Sequence, residues 1–132
     1  MLVRPSSDLS TLRERIPIPS QLQGRWAAAR RAARAVVGFE PSPIELVLWI
    51  PVADWASLAA AIGDEGPAAT VALHVDAARS VAGEVVAGLY VEGFHVRVTG
   101  PAYPAEVFEG GGFTDGRAVR VDGGLLVGLT SV

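Results

Sequence analysis

The hydrophobic period of this chain changes after Gly66-Pro67, and that change constrains the fold more than any other feature of the sequence. Beyond it, apolar residues recur at every second position. Residues 94–99 show this most clearly, with Phe94, Val96 and Val98 alternating with His95 and Arg97. Such a stretch turns one side to a core and the other to solvent. Strands are expected at 70–75, 81–91 (interrupted by Gly83 and Gly88), 94–99, 106–109, 117–121 and 125–130. Glu92-Gly93, Gly100-Pro101, Asp115-Gly116 and Asp122-Gly123 supply the turns. Short strands joined this tightly form an antiparallel meander, either a small barrel or a sandwich.

Ahead of the change, helical spacing prevails. Ser7 or Asp8 caps a short helix with Leu9, Leu12 and Ile16 on one face, and Pro17 and Pro19 end it. Ser20 then caps a longer helix over 21–37 with an apolar stripe of Leu22, Trp26, Ala29, Ala33, Val36 and Val37. Arg30, Arg31 and Arg34 lie beside that stripe, and Gly38 occupies the position after the helix. A connector, Phe39-Glu40-Pro41-Ser42-Pro43, leads to a strand at 44–50 and a helix at 55–62, capped by Asp54 and ended by Gly63. The fold class expected is α+β, with N-terminal helices packed on one side of the antiparallel β-meander. Residues 1–19 form an N-terminal arm with a short helix, and 20–132 a single domain.

Composition excludes several chemistries. All eleven basic residues are arginine, and Lys, Cys and Asn are absent. The chain therefore has no phosphate-loop lysine, no Schiff-base lysine, no thiolate nucleophile and no sulfur-ligated metal. His74 and His95 are the two histidines, in no paired metal-binding spacing, and no serine occupies a nucleophile-elbow motif. His74 reads as a satisfied, partly buried side chain and His95 as an outward one. Glu84, Glu92, Glu106 and Glu109 read as solvated strand carboxylates, although two of them facing each other would make an acid/base pair. The glycine run at 109–116 has no helix after it to bind a phosphate and reads as a mobile tip. No catalytic residue, metal or cofactor is expected. No apolar stretch approaches the ~20 residues of a membrane span, and the N-terminus lacks the apolar region of a secretory signal.

What remains points to surfaces. The chain is 50% hydrophobic and 19% charged, which favours self-association. Residues 1–38 hold seven arginines against Asp8 and Glu14, a balance of about +5; the rest holds four against twelve carboxylates, about −8. A basic front and an acidic body suit contacts between like subunits, or a basic segment folded back on its own domain. Interface candidates are Trp26, Arg30, Arg31 and Arg34 on the long helix, and Gly110, Gly111, Gly112 and Phe113 at the glycine tip. The arginine cluster is also the best place for nucleic acid, but the pI of about 5.3 argues against that partner.

Residues 89–104 (LYVEGFHVRVTGPAYP) and 116–121 (GRAVRV) resemble tailed-phage head–tail completion proteins of the stopper type, in which short antiparallel strands joined by acidic-Gly turns precede a mobile loop. The resemblance implies a ring between portal or adaptor and tail. The expected function is accordingly non-enzymatic: a structural or assembly subunit of a phage virion neck or tail. It would act as a homo-oligomer among neighbouring structural proteins, located in the virion or the bacterial cytoplasm. The alternatives are a small-molecule-binding or carboxylate-based enzyme domain, and an accessory domain docking through its arginine helix.

Overall fold

A computed structural model of the chain describes Ser6, residues 9–30 and residues 43–131. The elements run α1 (Leu9–Arg13), β1 (Arg25–Arg30), β2 (Ile44–Pro51), α2 (Trp55–Ile62), β3 (Ala68–His74), α3 (Val75–Val86), β4 (Val91–Glu92), β5 (His95–Tyr103), β6 (Phe113–Val121) and β7 (Gly124–Ser131), with a 3₁₀ turn at Glu106–Phe108. Every strand pairing is antiparallel. The strand order is β1-β2-β7-β6-β5-β3, with β4 hydrogen-bonded beside β5. The fold is α+β, and the sheet is not closed.

Burial on both faces explains the sequence of β2. Leu46, Leu48 and Ile50 enter one core with α1, Ile16, Leu58 of α2 and Phe108. Val47 and Trp49, on the opposite face, enter a second core with α3, Val96 and Val98. A strand covered on both sides reads as a continuous apolar run instead of alternating. α3 packs chiefly on β1 and β2, so the helices lie on both faces of the sheet and not on one side.

The long helix expected at 21–37 does not form over its described part: residues 21–24 are irregular and β1 follows, pairing with β2 from Arg25↔Trp49 to Arg30↔Ile44. Alanines are good helix formers, yet here they serve packing: Ala28 faces the first core, while Ala27 and Ala29 face the second. Their small side chains let α3 approach the sheet, and that contact outweighs a helix preference of under ~1 kcal/mol per residue. Arg31 and Arg34 lie outside the described residues.

The strand expected at 81–91 is also corrected, because Val75–Val86 is α3. Its buried residues Val75, Ala77, Ala78, Val81, Ala82 and Val86 include pairs three or four apart (75/78, 77/81, 78/82, 82/86), a helical stripe. Asp115-Gly116 is a bulge within β6, where the register shifts between Thr114 and Arg117, and not a hairpin turn. Residues 106–108 form a 3₁₀ turn and not a strand. Gly100-Pro101 does not end its strand. At that point β5 passes from pairing with β3 to pairing with β6. A Cβ at Gly100 would collide with the Arg120 carbonyl, so the crossing requires glycine. The readings of α2, β2 and β7, and of the turn at Asp122-Gly123, agree with the structure. No helix among the described residues is long and apolar enough to cross a membrane.

Candidate functional site

The transfer of β5 between partners swings β3 across one end of the sheet. A groove of ≈ 690 Å³ opens there. One wall is Ala69 to His74 of β3; the other comes from β2 at Glu45, β6 at Asp115 and Arg117, and β7 at Thr130.

At its end, three polar side chains converge. Glu45 is 7% exposed, the one charged residue in an otherwise apolar strand. A carboxylate that deep in protein needs a partner, and His95 Nε2 donates to it at 2.8 Å from Oε2 and 3.1 Å from Oε1. The register pairs His95 with His74, so both imidazoles leave the same face, 6.2 Å apart and edge-on. His74, 4% exposed, accepts from the Asp76 N–H through Nδ1 at 3.3 Å. An accepting nitrogen carries no proton, so this geometry selects the Nε2–H tautomer. His74 thereby caps α3, and Phe94 stacks on its ring at 6.4 Å.

These groups hold the fold together. Neither imidazole bonds a hydroxyl, so the pairing of nucleophile and base needed for covalent catalysis is absent among the described residues. Those residues also contain no group of three or more His, Asp or Glu that fits a metal ion. A second polar knot fastens α2 to the sheet. Tyr103 Oη donates to Glu65 at 3.0 Å, Arg120 donates to the same oxygen at 3.1 Å, and the Arg120 guanidinium lies 4.3 Å over the Trp55 ring. The hydrogen bond from Arg120, then that from Tyr103, hold the Glu65 carboxyl below the ordinary carboxylate range. Burial, then the bond to Glu65, push the Tyr103 phenol above its usual value.

The residues picked from sequence do not meet in one place. Trp26 is half-buried on β1 against the first core, and Arg30 is exposed at the end of β1. Gly110, Gly111 and Gly112 all have positive φ and make a turn closed by Gly110 and Phe113. That turn seats on its own chain: a Cβ at Gly111 would strike the Arg15 carbonyl. Glu92 pairs with Arg97 at 2.8 Å, and Glu109 accepts from the Gly116 N–H at 2.7 Å. Glu84 and Glu106 are exposed on α3 and on the 3₁₀ turn. The four glutamates form no acid/base pair among their hydrogen bonds.

Sequence reasoning missed Glu45. Its signal was a lone charge inside a strand apolar at both parities, which marks a carboxylate going inward to a partner. No protein-family model matches this chain, and neither a curated protein nor a solved structure does.

Proposed function

We propose that the chain is a non-enzymatic assembly subunit that works as a homo-oligomer. One observation carries this reading. Leu89, Tyr90 and Phe94 are 38%, 66% and 48% exposed, and all three lie on the short arm from α3 through β4 into β5. Large apolar side chains exposed within six residues of one another favour burial against another surface. The polar groups nearby are committed elsewhere: His74 to α3, His95 to Glu45, and Arg97 to Glu92.

A ring in a tailed-phage neck or tail is the finer form of this proposal. It rests on residues 89–104 and 116–121, which contain the same arm. Flanking portal, capsid or tail genes would support it. Light scattering coupled to size-exclusion chromatography tests the broader reading: a mass above that of one chain is expected, and a monomer at high concentration contradicts it.

One observation favours a second reading as a small-molecule binder, since His74 and the Glu45–His95 pair line the groove. It would require Glu45→Gln to abolish binding of a ligand without unfolding the chain.

A further inference from the structure

We infer that copies of this chain join head to tail, with Tyr90 of one copy seated in a pocket beside α3 of the next. The inference rests on the oligomer reading and deepens it, because it names the two surfaces that meet. The pocket, of ≈ 470 Å³, is lined by Glu84 and Val85 of α3, by Leu89, by Val98 of β5, and by Val121 and Asp122 where β6 ends. Its volume falls in the range of about 300–1,000 Å³ that holds small ligands. Val98 belongs to the second core, and Val85 and Val121 pack half-buried against that core, so the floor is apolar. Glu84 and Asp122 are exposed, and neither carboxylate has a side-chain partner among the described residues.

Tyr90 is the side chain that suits this lining. Three large apolar side chains are exposed among the described residues. Leu89 already lines the pocket, and Phe94 stacks on His74. Tyr90, at 66% the most exposed, has neither a ring contact nor a hydroxyl partner among the described residues. A phenol joins an apolar ring to a polar tip, and a buried tyrosine hydroxyl usually finds a partner. The valine floor takes the ring, and the Glu84 or Asp122 carboxylate accepts from the hydroxyl. No other exposed aromatic side chain among the described residues carries a donor.

Knob and hole face opposite ways. Val91 pairs with Val96, and the Tyr90 carbonyl accepts from the Arg97 N–H at 3.1 Å, which sets Tyr90 beside Arg97. Successive side chains of a strand alternate between faces. Tyr90 and Arg97 therefore share one face, and Leu89 and Val98 share the other, where α3 packs. A two-fold contact matches one patch with itself. Surfaces on opposite faces instead join each copy to two neighbours, giving Tyr90 to one and receiving it from the other. Such a contact repeats until it closes as a ring, the form that a discrete oligomer requires.

The test mixes two defective copies. Tyr90→Ser removes the knob, and Val85→Trp fills the hole. Sedimentation velocity is run at high concentration on the native chain, on each variant alone and on their equimolar mixture. The native chain should exceed a dimer, and each variant alone should be a monomer. The mixture should form a dimer and nothing larger, because Tyr90 of the Val85→Trp chain enters the open pocket of the Tyr90→Ser chain, which has no knob to pass on. Tyr90→Phe, which loses only the hydroxyl, should weaken assembly by about tenfold. If circular dichroism shows that Val85→Trp does not fold, Glu84→Trp at the exposed rim takes its place. A native dimer, a mixture that stays monomeric or grows past two chains, or unchanged assembly by Tyr90→Phe would overturn the inference and leave the oligomer reading standing. Unchanged assembly by the filled-pocket variant would do the same and leave the pocket to another partner. A monomeric native chain would end the oligomer reading itself, and this inference with it.

Discussion

Arg13 shows how much of this fold hangs on single polar side chains. Its guanidinium donates through Nη2 to the carbonyls of Pro19, Ser20 and Leu22, tying α1 to the segment that leads into β1. Nε is buried without a partner, so the residue gives up part of its solvation to make that clamp. Hydrogen bonds from a charged donor are worth about 1.5–3 kcal/mol. Arg13→Ala should lower unfolding stability by about 2 kcal/mol in urea denaturation. Tyr103 gives a pH signature. A phenol whose pKa is raised in the folded state contributes stability that is complete below the unfolded value, near 10, and lost as pH rises through the folded value. Absorbance titration at alkaline pH should show Tyr103 ionising above the ordinary range. Glu65→Gln should bring it down, because one cause of the shift is removed while burial stays.

At the scale of elements, α3 is the piece on which the second core depends most. Ala77 and Ala78 are fully buried where the helix meets β1 and β2. Ala78→Leu adds volume to a filled contact and should cost about 1–3 kcal/mol, measured as a shift in denaturation midpoint at constant m-value. The same element shows where sequence reading stops. Elements whose cue is local were legible: α2 from its Asp54 cap, whose carboxylate accepts from Ala56 and Ser57, and the β6–β7 hairpin from Asp122-Gly123. α3 and β1 were misread because their cue is not local. Residues 81–86 are valine-rich, which suits a strand, and residues 27–35 are alanine-rich, which suits a helix. Each preference is reversed by the other element, since small residues on β1 are what make room for α3. The groove was illegible for a similar reason. Glu45 lies fifty positions before His95, and a strand crossing at Gly100 joins them.

For the whole molecule, the polar side chains that converge are bonded within the chain, and the proposed assembly role falls to surface left exposed. Among the described residues the groove carries an oriented imidazole but no hydroxyl bonded to it, and the knot that fastens α2 joins buried Tyr103 to part-exposed Glu65 and Arg120. Against these stand the exposed arm at Leu89, Tyr90 and Phe94 and the pocket over Val85, Val98 and Val121. Sedimentation velocity of the native chain and of Tyr90→Ser/Phe94→Ser, across a hundredfold range of concentration, is the most direct test. The native chain should sediment as a discrete oligomer and the double variant, equally well folded by circular dichroism, as a monomer. Identical sedimentation of the two chains would contradict the account.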